Sequence, residues 1–313
     1  MLPVTHSLPA AAGPWEGARE VQIPSTLDGA LQGAFFYVPP EAEPGGAPAP
    51  LMVALHTWSA DYRQAASAAY LAACKRRGWV LIHPNFRGPN HRPEACASDL
   101  AVQDVLDAVA YARAHASVDP GRIYLCGASG GGFMSLTMAH RAPDVWAGVS
   151  AWVPISDLAA WHRHCTAQKL GYAQDIERSC GGSPSQETEA EYRRRSPLFH
   201  LAAARGVRMD LNAGIHDGHL GSVPISHVLH AYNALARAND HPEATLTEEQ
   251  IAVMTRERRV PEDLAGENEG VPYRKGRVLF RRQAGPVRIT LFEGGHESDE
   301  EAAAEWLAGQ SRR

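Results

Sequence analysis

The stretch that most constrains the fold is Arg122-Ile-Tyr-Leu-Cys-Gly-Ala-Ser-Gly-Gly-Gly-Phe-Met134, where an apolar run collapses into glycines around one serine. Gly127, Ser129 and Gly131 satisfy the pattern G-x-S-x-G. That spacing suits a strand that turns sharply into a helix with the serine at its apex, because backbone crowds the flanking positions so closely that only hydrogens fit there. Such a turn holds its serine in a strained conformation, which is tolerated where it presents a nucleophile. The surroundings agree: Asp119-Pro-Gly121 is a turn signal, 123–126 reads as a buried strand, and 133–140 has helical character. The competing reading is a glycine-rich turn with no chemistry.

The same rhythm extends on both sides. Residues 20–23 and 31–38 read as two strands around Asp28-Gly29, a hairpin signal, after a leader rich in Pro, Gly and Ala. Residues 51–55 are apolar throughout, as expected of a strand covered on both faces. Helix at 64–77, strand at 79–83, helix at 98–115, the Ser129 strand and helix, and strand at 145–153 then alternate. This predicts an α/β fold, a mostly parallel sheet with helices on both faces and ligands at the strands' carboxyl ends. Residues 156–204 break the alternation and are expected to form a cap over the site. The sheet resumes at 207–213, a helix follows at 225–238, and a polar insertion fills 241–275 with a capping box at Thr247 and Gln250. Strands at 278–281 and 287–292 precede Gly294-Gly-His296. Ser298 with Glu301 is expected to cap a final helix. The division expected is a leader and hairpin over 1–50 and one catalytic domain over 51–313.

With 313 residues and 44% hydrophobic content, the chain has enough apolar surface for one large core. A net charge of −5, spread along the chain, does not suggest nucleic acid as a partner; Arg193-Arg194-Arg195 and 256–259 read as solvated helix faces. No run of about 18 apolar residues is present to span a membrane. The N-terminus shows no secretory signal, which leaves a cytoplasmic protein or a secreted one given without its leader. Oligomeric state is open. Of five cysteines, Cys165 and Cys180 flank one surface excursion, and a bridge between them is left open.

A serine hydroxyl attacks only if a base removes its proton, and a third group must hold that base in the right tautomer. On an open α/β sheet the partners should follow the serine as acid, then histidine. His296, after a strand and two glycines, is the expected base, and Asp217, beyond the 207–213 strand, the expected acid; Asp210, Asp157 and Asp240 are rivals. The oxyanion donors are expected from the backbone N–H groups of Gly130 and Trp58. Arg87, His91, Trp152 and Trp161 are candidate substrate contacts, and with Trp58 they raise the possibility of carbohydrate or phenolic esters. His216 with His219, and His162 with His164, lack a third ligand at a recognised spacing, so no metal and no cofactor is expected.

Gly127-Ala-Ser-Gly-Gly131 behind Asp119-Pro-Gly-Arg-Ile123, Asn85-Phe-Arg-Gly88, Arg195-Ser-Pro197, and Asp217 with Val223-Pro224 resemble the catalytic domain of prolyl oligopeptidase-type serine hydrolases in the α/β-hydrolase superfamily. The resemblance covers residues 50 to 310 and implies Ser129, Asp217 and His296 as a triad. Family peptidases carry a large β-propeller before the hydrolase domain. Here residues 1–50 precede it, with no repeated blades, and the expectation becomes a stand-alone carboxylesterase acting on a small-molecule or oligosaccharide ester. The 241–275 insertion lengthens the interval between Asp217 and His296. A peptidase acting on short peptides, and a non-catalytic binding protein on a hydrolase scaffold, are the alternatives.

Overall fold

The computed structural model describes residues 13–265 and 276–312. Most of the leader, 1–12, and the end of the insertion, 266–275, lie outside the described residues. Strands β1 (Arg19–Pro24) and β2 (Leu31–Tyr37) form the expected hairpin, with Gly29 in the left-handed region at φ 74°. This hairpin is no separate unit. It pairs through β2 with β4 (Val80–Pro84) and so makes one flank of a nine-stranded sheet.

The all-apolar run forms β3 (Ala49–Leu55), buried at every position, and it pairs in parallel with β4 and with β5 (Val118–Ala128). β6 (Gly148–Trp152), β7 (Met209–Gly214) and β9 (Val287–Phe292) continue the parallel sheet, which β8 (Val278–Ala284) closes as an antiparallel edge. The strand order is β1-β2-β4-β3-β5-β6-β7-β9-β8. Helices α2 (Asp99–His115), α3 (Gly130–Arg141) and α7 (Ser226–Ala238) cover one face; α1 (Ala68–Arg77) and α9 (Glu300–Ala308) cover the other. Each face thereby buries its own apolar layer, as inner parallel strands require.

Residues 156–204 fold as α4 (Leu158–Ala167), α5 (Tyr172–Cys180), α6 (Glu189–Arg195) and two short 3-10 turns. Their apolar cluster takes in Trp58 from the loop after β3, Phe133 from α3 and Val223 from the loop after β7. The cap is thus packed onto three segments that end at the sheet's carboxyl edge. In the insertion, α8 (Glu248–Glu257) starts with the expected capping box at Thr247 and Gln250.

Three local expectations change. The Asp119-Pro-Gly121 turn lies inside β5, where Asp119 Oδ1 accepts the Gly121 N–H at 2.8 Å and keeps a turn-like contact within extended chain. The last helix is capped by Asp299, which accepts the N–H groups of Glu301 and Ala302, while Ser298 donates to Glu300 instead. An Asp one residue further on reaches the same orphan donors equally well. All five cysteines are free buried thiols, so the Cys165–Cys180 bridge is not formed.

Candidate active site

β5 ends at Ala128 and α3 begins at Gly130, leaving Ser129 alone at the corner with φ 57° and ψ −117°. A Cβ on Gly127 would strike the Gly131 backbone, and one on Gly131 would strike the Leu55 carbonyl, which is why the elbow needs glycine on both sides. The Ser129 N–H donates to the Trp152 carbonyl at 2.9 Å, tying the corner to the end of β6. Other non-glycine residues with positive φ gather along this edge, Phe86 and Arg87 after β4 and Val153 after β6. Strain of this kind concentrates where a fold holds chemistry.

Acid and base arrive from neighbouring strands. β7 runs into Gly214-Ile-His-Asp217 and β9 into Gly294-Gly-His296, and the His216 N–H donates to the Gly294 carbonyl at 2.9 Å, joining the two loops. His296 Nδ1 donates to Asp217 Oδ2 at 2.7 Å. The other oxygen, Oδ1, accepts the N–H groups of Gly218 at 2.8 Å and Val223 at 3.2 Å. Asp217 is 2% exposed and its carboxylate is fixed on three sides. With Nδ1 donating, Nε2 is the nitrogen free to take a proton. Among the described residues the Ser129 hydroxyl makes no hydrogen bond; serine hydrolases without substrate often hold that contact loosely and tighten it on binding.

The rival acids are engaged elsewhere. Asp210 is buried inside β7 and paired with Arg288, Asp157 caps α4, and Asp240 pairs with Arg205 at the surface.

The two residues expected to supply oxyanion donors lie side by side. The loop after β3 presses on the first turn of α3 so closely that a Cβ on Gly130 would collide with the Trp58 backbone nitrogen and Cα. The absence of a side chain at Gly130 is what allows this close approach of the two backbones. The Trp58 side chain is buried; its indole Nε1 donates to Asp175 Oδ2 of α5 at 3.2 Å, and its ring meets Trp161 edge-on at 4.7 Å. Nothing local in the sequence signals Asp175, which reaches Trp58 from across the chain. Beside this loop an open groove of about 490 Å³ runs past Ser59, Tyr172 and Gln174.

The substrate contacts expected from sequence divide differently. Arg87 is 6% exposed and spends its guanidinium on Asp104 (Nε–Oδ2, 2.6 Å) and Asp28 (Nη1–Oδ2, 2.7 Å). Hydrogen bonding from Arg87 holds the Asp28 carboxyl at about 2, and the two carboxylates push the guanidinium's own pKa up. Arg87 therefore pins the β1–β2 hairpin to α2. Trp152 is 1% exposed with its indole on Ser150 Oγ, and Trp161 is fully buried with its indole on the Ser222 carbonyl. Both are packed in the core. His91 is exposed in the loop after β4. The paired histidines face separate partners: His216 Nε2 meets Glu293, His219 Nε2 the Thr255 carbonyl, and His162 Nε2 Glu177. No metal-binding cluster is present among the described residues, and no described helix is long and apolar enough to cross a membrane.

A doubly covered parallel sheet with a G-x-S-x-G elbow, and an acid and histidine on later strand ends, define an α/β-hydrolase. The profile of the prolyl oligopeptidase family matches residues 64–251, and the chain belongs to that family. Curated relatives include poly(3-hydroxyalkanoate) depolymerase C of Paucimonas lemoignei, 28% identical over 34% of this chain and 28% of its own length. Poly(3-hydroxybutyrate) depolymerase of Ralstonia pickettii is 26% identical over 46% of this chain and 33% of its own. This chain thus spans a third or less of either relative. Among solved structures, puromycin hydrolase superposes with a TM-score of 0.62 at 17% identity, over 96% of this chain and 39% of that one. Acylaminoacyl peptidase of Pyrococcus horikoshii gives 0.58 at 15%, over 93% and 40%. At these identities the structures speak for the fold.

Proposed function

We propose that this α/β-hydrolase is a serine carboxylesterase that works through an acyl-enzyme, with Ser129, His296 and Asp217 as its triad. The observation that carries the reading is the 2.7 Å bond from His296 Nδ1 to an Asp217 carboxylate already held by two backbone N–H groups. That arrangement holds the imidazole with Nδ1 on the acid, which supports a base role for Nε2. Ser129 Oγ attacks the ester carbonyl carbon and its proton passes to His296 Nε2. The tetrahedral oxyanion accepts hydrogen bonds from the N–H groups of Gly130 and Trp58. His296 returns the proton to the leaving alcohol, the acyl group stays on Oγ, and water repeats the sequence to release the acid.

The two depolymerase relatives are named for polyesters, which favours an ester over an amide. A peptidase acting on short peptides is the second reading, favoured by the family's name and by peptidases among the solved neighbours. Matched panels of p-nitrophenyl esters and aminoacyl-p-nitroanilides separate the two: the esterase reading expects faster ester turnover, and faster amide turnover overturns it. Ser129→Ala is expected to remove hydrolysis of a short p-nitrophenyl ester while the melting temperature is kept. Retained turnover would rule out Ser129 as nucleophile.

A further inference from the structure

The cap reaches the loop that carries Trp58 through a hydrogen bond that the sequence does not advertise. Asp175 on α5 accepts the indole N–H of Trp58 at 3.2 Å, across 117 residues of chain. Its partner Arg178 is ion-paired to the same carboxylate and has a side chain 54% exposed, so Asp175 is held at the cap surface while its other oxygen faces inward. The indole it holds is wedged: Trp161 of α4 meets it edge-on at 4.7 Å and Phe133 of α3 lies at 5.7 Å. The Trp58 backbone, in turn, is pressed against Gly130, and its carbonyl accepts the Asn90 N–H at 2.8 Å. These contacts fix the side chain, the Asn90 bond fixes the peptide that follows it, and the peptide that carries the Trp58 N–H has its Thr57 carbonyl 2.9 Å from His56 Nδ1.

We propose that Asp175 is a positioning residue for the oxyanion hole: it fixes the Trp58 indole, and so aims the Trp58 N–H at the charge that develops in the transition state. The proposal rests on the serine-hydrolase reading above. Its physical basis is that a donor preorganised toward the oxyanion stabilises the transition state more than the ground state, and that a small misplacement of such a donor is costly. A loss of this kind appears in kcat and leaves KM nearly unchanged. The cap is then a brace for the chemistry.

The test is steady-state kinetics on a p-nitrophenyl ester for wild type, Asp175→Ala, Asp175→Asn, Trp58→Phe and the Asp175→Ala/Trp58→Phe double variant, each with a melting curve. Labelling of wild-type Ser129 by a fluorophosphonate is established first; if it fails, the serine-hydrolase reading falls and not this one. Asp175→Ala and Trp58→Phe should each lower kcat about 10-fold or more at little change in KM, and the double variant should lose no more than the worse single one. Asp175→Asn keeps an acceptor for the indole and should recover to within about three-fold of wild type. Multiplying losses in the double variant, a rise in KM at constant kcat, or an Asn variant as impaired as the Ala variant would each overturn the proposal. A merely structural role would move the melting temperature and the amount of active enzyme, without this pattern of rescue and non-additivity.

Discussion

Two buried aspartates on one stretch of chain have opposite fates. Asp210, inside β7, is 1% exposed and takes hydrogen bonds from Arg288 Nε at 2.8 Å, Ser150 Oγ at 3.2 Å and Asn212 Nδ2 at 2.9 Å. Asp217, just past the end of the same strand, is 2% exposed and takes its bonds from two backbone N–H groups and His296. Burial and saturation are alike. What differs is the closing partner: an arginine keeps its proton throughout the accessible pH range, whereas an imidazole can take one up and return it. Position differs too, since one carboxylate lies within the sheet and the other at the edge where Ser129 stands. In the proposed mechanism it is this titratable partner that gives the Asp217 network a chemical role and leaves the Asp210 network a structural one.

Swapping the treatment of the two aspartates is the strongest way to break this contrast. Asp217→Asn should lower kcat for a p-nitrophenyl ester about 10³- to 10⁴-fold, because the amide favours the wrong imidazole tautomer. Asp210→Asn should leave kcat within about three-fold and instead cost about 2–3 kcal/mol in a urea unfolding curve, by unpairing Arg288. If Asp210→Asn abolished turnover and Asp217→Asn did not, the two roles would be exchanged. A milder probe acts on the space around the second carboxylate. A Cβ at Gly221 would strike both Asp217 Oδ1 and His296 Cβ, and the latter, next to the backbone, has little freedom to move. Gly221→Ala should therefore part the acid from the base and lower kcat about 100-fold; wild-type turnover would show that the pair tolerates displacement.

The smallest effect sharpens the comparison from the side of histidines that do not serve as bases. Burial holds His83 at about 3, with His56 adding to the effect, and burial likewise holds His227 at about 3. In the unfolded chain both protonate near the ordinary histidine value, so between that value and about 3 the unfolded state carries more protons. Stability then falls as the pH falls, by about 2 kcal/mol for each at pH 5. Thermal melts at pH 7 and pH 5 should show the drop, and His227→Gln, which keeps an acceptor for the Ser156 N–H, should roughly halve it. An unchanged slope in that variant would mean that His227 takes no part.

Much of this was legible in the sequence, for local reasons. The elbow could be read because a serine between glycines at that spacing has few alternatives, and β3 because an unbroken apolar run fits a strand covered on both faces. Asp217 and His296 followed from strand order and from where each strand ended. The side-chain partners were not legible. Arg87, Trp152 and Trp161 sit in motifs that suggest ligand contact, yet their burial is set by Asp28, Asp104, Ser150 and Ser222, which only the folded chain brings near. The Asp175–Trp58 bond is invisible for the same reason. The helix cap shifted from Ser298 to Asp299 because both residue types can cap, and the local backbone decides between them.

The most direct test of the triad is to quench the enzyme during turnover of a slowly hydrolysed ester and weigh its peptides. The account predicts one acyl adduct, on the peptide that carries Ser129, formed by wild type and lost in His296→Ala. An adduct on another residue, or steady turnover with no acylated enzyme at any quench time, would contradict it.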